Sequence, residues 1–340
     1  MPPFSHIWDV NPVCFTHTHT HTQWKISSIV PIIKQGKEDI RDASKYRPIS
    51  LLNVVGKVLD KLTIDRILHH VHSNAGLNSN QYGFIPQSGT VEAAMAVKEI
   101  IGENLKQKNC ISVVSLDVQG AAWWPSILRN LKELKCPKNL FNLSRSYFSN
   151  RMALLCGNML KIEKPVTMGF PQGTCSGPGF WNILYNSLLN MDFTHHTRVI
   201  AFAGDLLVLT RGKCTLDAEN YANQDLQKIE NWARENKMHF NENKSKVLLV
   251  TKKTSGDNRT LNIYLNNKDL EQVSELKYLG ICFDSRFSFD RHVEYITGKC
   301  TPIINMLAKS AKLKWGMGHQ ALKVTYSGAI EPILTYGRKP

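Results

Sequence analysis

Acidic residues are scarce in this chain of 340 residues: 28 Asp and Glu stand against 42 Lys and Arg, a net charge of +14 with His neutral. The basic residues are spread along the whole length rather than gathered in a tail. That balance agrees equally with a polyanionic partner such as nucleic acid and with a merely solubilising surface. The eight cysteines are far apart and none forms a CxxC pair, which argues against a zinc site or a disulfide framework and for reduced thiols in an intracellular protein. Long apolar runs are missing as well. No stretch approaches the length of a membrane span, and the N-terminus MPPFSHIWDV lacks a basic region followed by an apolar one, so neither a membrane anchor nor a signal peptide is expected. The location read from this is intracellular, nuclear or cytoplasmic.

What is present is enough apolar sequence, 42% of residues, for a large core and two or three subdomains. One tract is of low complexity, THTHTHT at residues 16–22. Its alternation can be drawn as a strand or as a weak histidine metal site, but translation of an ACAC repeat explains it better, and the folded domain is then expected to begin near Trp24. The stretch WKISSIVPIIK reads as a strand, and Pro31 inside it suggests an edge position. SLLNVVGKVLDKLTIDRILHHVH and VEAAMAVKEIIGENLKQK carry apolar residues at helical spacing, with a Gly-, Asn- and Pro-rich loop between them. ISVVSLD reads as a buried strand ending at Asp117. WWPSILRNLKEL and PKNLFNLSRSYFSNR read as helices with Pro125 and Pro137 near their starts. MALLCG and KIEKPVTMGF form a strand pair, and FWNILYNSLLNMDF and LDAENYANQDLQKIENWARENK are helical. HFNENKSKVLLVTKK turns into a strand, LKYLGICFDSRFSF is a further strand and turn, and the tail is mostly helical. Helices grouped between strands, without strict alternation, make the class α+β.

The stretch RVIAFAGDLLVLTRG, residues 198–212, poses the main chemical question. Val199–Ala203 and Leu206–Thr210 are strand-forming runs, and Gly204-Asp205 between them is two-residue hairpin chemistry that would project Asp205 from the tip. Asp is also simply a good turn residue. Asp117 stands after a second strand, and if the two strands are neighbours their carboxylates converge where a divalent cation could sit, as phosphoryl transfer requires. The loop GFPQGTCSGPG, residues 169–179, permits close backbone approach to a ligand and opens a helix whose N-terminal amides favour anions; an ordinary turn is the alternative.

YRPISLLN (46–53), QYGF (81–84), SLDVQG (115–120), GFPQGTCSGPGFWN (169–182), AFAGDLL (201–207), NENKSK (241–246) and LKYLG (276–280) occur in an order and spacing that resembles the reverse transcriptase domain of non-LTR retrotransposons of the jockey and R1 kind, over roughly Trp24 to Gly337. The resemblance implies a right-hand polymerase fold whose antiparallel palm sheet packs on helices. Its divisions would be a low-complexity extension over 1–23, fingers with the start of the palm over 24–114, palm over 115–290 with fingers-proximal helices at 122–150, and a partial, thumb-like helical segment over 291–340. It implies RNA-directed DNA polymerisation by two-metal phosphoryl transfer with Mg²⁺, an RNA template, a DNA primer and deoxynucleoside triphosphates as partners, and a nuclear site of action.

Residue by residue, Asp117 matches the metal-binding aspartate of the first catalytic motif. Lys34 and Arg47 match the groups that hold the incoming triphosphate. Gln172 and Gly173 match the loop lying against the incoming nucleotide, Lys244 the lysine near the departing pyrophosphate, and Tyr278, Leu279 and Gly280 the primer grip. Two departures stand out. The family's Tyr/Phe-Ala-Asp-Asp reads Phe202, Ala203, Gly204, Asp205 here, so the ligand of both catalytic metals is replaced by Gly204 and the retained Asp205 matches the second, less essential aspartate. Relatives read approximately LDVQGAFDAAWW where this chain has LDVQGAAWW, and the aromatic that screens the sugar 2′ position becomes Ala122. With no endonuclease segment upstream, these features resemble a decayed, truncated copy. The expectation is a folded domain whose catalysis is impaired, with a non-catalytic nucleic-acid-binding remnant or a pseudogene product as the alternative.

Overall fold

The structure, a computed structural model, describes residues 22–34, 42, 45–74, 76–156, 161–252, 260–311 and 316–337. The THTHTHT tract up to residue 21 lies outside the described residues, as does most of the charged segment 35–44. In chain order, a 3₁₀ turn at Thr22–Lys25 leads into β1 (Ile26–Ile33), β2 (Tyr46–Leu51), α1 (Val54–Asn74), α2 (Thr90–Lys106) and β3 (Cys110–Gln119). There follow α3 (Trp124–Glu133), α4 (Lys138–Phe148), β4 (Arg151–Cys156), β5 (Lys161–Val166), α5 (Ser176–Leu189), β6 (Thr197–Phe202), β7 (Asp205–Gly212) and α6 (Thr215–Glu235). Seven short strands come next: β8 (His239–Phe240), β9 (Lys246–Val250), β10 (Tyr264–Leu265), β11 (Lys268–Asp269), β12 (Glu271–Val273), β13 (Glu275–Tyr278) and β14 (Ile281–Asp284). The tail is helical, with α7 (Asp290–Ser310), α8 (His319–Thr325), a π turn at Tyr326–Ile330 and α9 (Glu331–Thr335). No helix among the described residues is long and apolar enough to cross a membrane.

These elements form two compact units that interleave in sequence, one from residues 1–79, 119–191 and 232–239, the other from 80–118, 192–231 and 240–340. The first holds a four-stranded sheet in the order β2-β1-β4-β5. The edge position expected for the Pro31 strand is therefore corrected: β1 is interior, antiparallel to β2 and parallel to β4. Pro31 is tolerated because the pairing with β4 stops at Ser28 and leaves the proline with a neighbour on one side only. In the same unit Asn130 donates from α3 to the Ile183 and Leu184 carbonyls of α5 at 3.0 and 3.2 Å.

The second unit is organised by a sheet in the order β12-β9-β3-β7-β6. Its central pairs are antiparallel, while β12 runs parallel to β9 at the edge. One face carries Ile111, Val113, Ile200, Leu207, Leu209, Leu248 and Val250, packed with Ala93, Ala94, Val97, Ile101 and Leu105 of α2. These α2 positions repeat at helical spacing, which is why the segment buries one stripe. Val114, Leu116, Val199, Ala201, Leu206, Val208, Val247 and Leu249 point the other way and are buried too, as are Ala218, Ala222, Leu226 and Ile229 of α6. A sheet covered on both faces explains why its strands read as nearly continuous apolar runs. LKYLGICFDSRFSF is not one strand but two: β13 and β14 pair through a turn at Leu279-Gly280, whose φ values of 46° and 87° suit a type I′ hairpin.

Candidate active site

Two sequence expectations about the aspartates are corrected by the strand register. β3 does not end at Asp117 but continues to Gln119. The hairpin turn is Ala203-Gly204 rather than Gly204-Asp205, because Phe202 pairs with Asp205 and Asp205 is the first residue of β7. Ala203 accepts a φ of 54° to make the turn. The result is that Asp117 and Asp205 are direct cross-strand partners, so their side chains leave the same face of the sheet.

The electrostatics follow from that placement. Burial, and then the facing Asp117 carboxylate, raise the Asp205 carboxyl above the usual carboxylate range. The Lys244 ammonium stands 3.5 Å from Asp117 Oδ2, with 65% of its side chain exposed. Its backbone belongs to a tight turn built by Asn241–Ser245, in which the Asn243 and Ser245 amides bond Asn241. That turn also clamps Asp117: its carbonyl accepts from the Asn241 amide at 2.7 Å, and its amide donates to Ser245 Oγ at 3.2 Å. Ser245 is fully buried and its hydroxyl donates a hydrogen bond to the Asn241 carbonyl at 2.7 Å. Neither Asn241 nor Ser245 was singled out from sequence, since a polar turn gives no sign of which aspartate it will hold.

The QYGF segment explains how the hairpin is braced. Tyr82 N donates to the Ala201 carbonyl and Ala201 N to the Asn80 carbonyl, both at 2.9 Å. A Cβ on Gly83 would lie 2.1 Å from the backbone nitrogen of Ala203, so only glycine lets this segment pass so close to the turn. Tyr278 packs in the core, 3% exposed, and its hydroxyl has no hydrogen-bond partner among the described residues. Burial, then Asp205 and Tyr82, push that hydroxyl well above the ordinary phenol range. Of the three residues matched to the primer grip, the turn residues Leu279 and Gly280 hold the hairpin apex, and the Tyr336 hydroxyl donates to the Leu279 carbonyl at 2.6 Å.

Asp117, Asp205, Lys244, Tyr278, Leu279 and Gly280 thus all belong to the second unit, and Lys34, Arg47, Ala122, Gln172 and Gly173 to the first. Within the first, Arg47 is exposed and pairs with Ile32, while the Lys34 amide bonds the Lys45 carbonyl, so Lys34 and Arg47 lie on one face of the β1–β2 ribbon. The Gln172 carbonyl accepts from Ser50 N at 3.0 Å, which pins the loop onto β2, and Gly173 adopts a φ of 105°. The segment after Gly120 closes through a bond from Gly169 N to the Ala122 carbonyl at 2.7 Å, leaving Ala122 2% exposed. Trp123 is covered by the Lys237 ammonium, 4.2 Å from the ring centre.

One expectation fails here. The helix opened by the Gly- and Pro-rich loop does not offer its first amides to an anion, because Asp60 Oδ2 already accepts from Cys175 N at 2.8 Å and Ser176 N at 3.0 Å. A buried carboxylate from α1 satisfies the orphan donors. Asp60 sits in an apolar helical stripe, where sequence alone marks it only as an anomaly.

The Asp117–Asp205 pair supplies oxygen donors of the kind that hard cations take. No group of three His, Cys, Asp or Glu side chains placed to hold a metal occurs among the described residues; the apex that separates the strands carries Gly204.

Comparison with known proteins gives the context of this geometry. Over 327 residues the chain is 29% identical to the retrovirus-related Pol polyprotein from the type-1 retrotransposable element R1 of Bradysia coprophila, covering 95% of this chain and 32% of the relative. It is 30% identical over 276 residues to the RNA-directed DNA polymerase from the mobile element jockey of Drosophila funebris, covering 78% of this chain and 30% of the relative. The chain therefore spans about a third of the length of these relatives. Among solved structures, apo telomerase from Candida tropicalis truncated from its C-terminal domain superposes with a TM-score of 0.54 at 12% identity, over 79% of this chain and 55% of that one, a likeness of fold alone. The family model for reverse transcriptase (RNA-dependent DNA polymerase) matches residues 32–283, which include the facing aspartates, the bracing glycine and the clamping turn. On that match the chain belongs to the reverse transcriptase family.

Proposed function

We propose that the Asp117–Asp205 pair is the nucleotidyl-transfer site of an RNA-directed DNA polymerase domain of a non-LTR retrotransposon, and that this copy is catalytically impaired at Gly204. The observation that carries the reading is the register of β3 and β7, which sets the two carboxylates opposite one another beside the Lys244 ammonium. Two like charges facing one another favour a divalent cation, and the Asp205 carboxyl is raised by burial first and by the facing Asp117 second. The pair fits Mg²⁺ bound jointly with substrate phosphate oxygens. When bound, Mg²⁺ would supply charge neutralisation at the transferred phosphoryl group.

The chain's own groups then have defined tasks. Asp117 and Asp205 would hold the cation, and the Asn241–Ser245 turn fixes Asp117 by its backbone so that its carboxylate does not wander. Lys244, freed from Asp117 by the cation, would meet the negative charge that develops on the leaving pyrophosphate. Lys34 and Arg47 would hold the triphosphate, Gln172 and Gly173 would lie along the incoming deoxynucleotide, and Leu279 and Gly280 would face the primer. On this reading the fingers over 24–114 and the palm over 115–290 each draw on both units, and α7 to α9 form a partial thumb. Gly204 offers no carboxylate where the family has the ligand shared by both metals, so a second cation lacks its protein anchor and most of the rate is lost.

RNA-templated primer extension in Mg²⁺ tests this. The Gly204→Asp protein extends a primer and loses that activity when Asp117→Ala is added, while the unaltered chain is at least about a hundredfold slower, the usual cost of one preorganised electrostatic group. Extension by the unaltered chain at the rate of Gly204→Asp contradicts the assigned lesion. A second reading, a remnant that binds nucleic acid without copying it, is favoured by the net charge of +14 together with Gly204.

A further inference from the structure

At the opposite end of the same sheet lies a second concave site. Its floor is Ile111 of β3 and Leu209 of β7, and its rim carries His195, His196, Arg198 and Arg211, with Glu103 of α2 as the one acid of the lining. Arg211 is six residues beyond Asp205 on β7, about 20 Å away at roughly 3.3 Å per residue, so this is not part of the Asp117–Asp205 site. We propose that this hollow binds one nucleotide unit of a single-stranded nucleic acid, its phosphate between Arg198 and Arg211 and its base against the exposed His195 ring.

Two independent features support the assignment. First, neither guanidinium has an ion-pair partner among the described residues, although both line one cavity. Two unpaired forks converging on a concavity suit a phosphate, which presents several acceptor oxygens to planar donors. Second, an aromatic ladder stands on the same rim. The His196 ring stacks on Tyr221 with centres 4.1 Å apart and 13° between planes, and the His195 ring packs against His196 at 3.7 Å, tilted by 43°. His195 is exposed, so its outer face is available to a base. Burial, followed by His195 and Arg211, holds the His196 imidazole below its ordinary range, and a neutral ring stacks without competing for the phosphate. Stacking platforms beside cationic groups are what proteins use to hold single strands, where each base has a π face to offer. An acidic peptide would use the arginines but has no use for the ladder.

The hollow uses neither Asp117 nor Asp205, so it stands or falls apart from the polymerase reading. The first test is an NMR titration of the histidine ring signals, with those of His195 and His196 assigned by His195→Ala and His196→Ala. Adenosine 5′-monophosphate is expected to move both signals at concentrations where inorganic phosphate or oligoglutamate does not, and to lose this effect in Arg198→Gln/Arg211→Gln. The second is the affinity for a short labelled single strand of RNA, and of DNA, followed by anisotropy against salt. The double variant is expected to weaken binding at least tenfold and to reduce the salt slope by about 0.7, the value for one phosphate contact on a single strand. His195→Ala weakens binding several-fold and leaves the slope unchanged. Equal ring shifts with inorganic phosphate show a general anion site and overturn the nucleotide assignment, as do shifts with oligoglutamate; unchanged affinity and slope in the double variant, with the same melting temperature as the unaltered chain, overturn the site altogether.

Discussion

Asp117 on β3 and Asp205 on β7 face each other as direct partners of an antiparallel pair, and among the described residues the ion pair that offsets their charge is Lys244, 3.5 Å from Asp117 Oδ2. The site is therefore strained electrostatically. Asp205 has a raised pKa in the folded protein, chiefly from burial and then from Asp117. A folded-state pKa above the unfolded value means that the folded protein holds its proton longer, so stability falls as pH rises through that range and the loss persists at pH 7. Asp205→Asn is expected to raise the melting temperature at pH 7 and to have no such effect at pH 3. The gain stays under about 1 kcal/mol because the carboxylate, although partly desolvated, still borders solvent that screens it. Equal effects at both pH values would show that charge is not the cause.

Ser245 is the buried partner of the Asp117 amide. Replacing it with Ala leaves that amide and the Asn241 carbonyl each short of one bond, at a cost of about 1–3 kcal/mol. Urea denaturation of Ser245→Ala measures the loss; a change below a few tenths of a kcal/mol would mean that water replaces the hydroxyl and that the clamp is not structural.

Gly83 and Gly102 make a matched pair. A methyl group on Gly83 meets the Ala203 backbone nitrogen at 2.1 Å, whereas one on Gly102, inside α2, meets nothing within 4 Å. Gly83→Ala is expected to cost about 3 kcal/mol, at the upper end for an overpacked site because backbone must move. Gly102→Ala is expected to gain about 0.5–1 kcal/mol from helix propensity. The two denaturation curves, shifted in opposite directions, check the claim that the QYGF segment braces the β6–β7 hairpin.

Asp225 of α6 is fully buried, accepts from the Thr194 hydroxyl at 2.6 Å and from its amide, and pairs with Lys228 at 2.9 Å. Burial alone would raise its pKa, but these bonds outweigh it and the carboxyl sits below its usual range. The sign is then opposite to that of Asp205: the stabilisation is complete above the unfolded value near 4 and is lost as pH falls through the folded one. Asp225→Asn should cost about 2 kcal/mol at pH 7 and progressively less towards pH 2. A cost independent of pH would place the effect in packing instead.

Much of this arrangement was legible in the sequence, for stated physical reasons. The strand runs around Asp117 and Asp205 are apolar on both faces because the sheet is covered on both, and that pattern marks them clearly. The carboxylates break the pattern, which is why they stood out. What the sequence did not reveal is register: a shift of one residue in the turn decides whether Asp205 hangs from a tip or starts a strand, and Ala203 with its positive φ is not a residue that announces such a turn. The interior position of β1 departs from the edge expectation for a similar reason. Proline excludes a ladder bond at one site only, and here the neighbouring strand ends before that site. Asp60, Asn241 and Ser245 were missed because their roles depend on backbone groups distant in sequence, which carry no side-chain signature at all.

The central claim is that Gly204 leaves a two-carboxylate site where the fold is built for three. It is tested most directly by titrating Mn²⁺, as a spectroscopic substitute for Mg²⁺, into the unaltered chain, Gly204→Asp and Gly204→Asp/Asp117→Ala, with free ion followed by electron paramagnetic resonance. The account predicts weak binding by the unaltered chain, at least tenfold tighter binding in Gly204→Asp, and loss of that gain when Asp117 is also removed. Equal Mn²⁺ affinity in the unaltered chain and Gly204→Asp, with both shown to be folded, would contradict it.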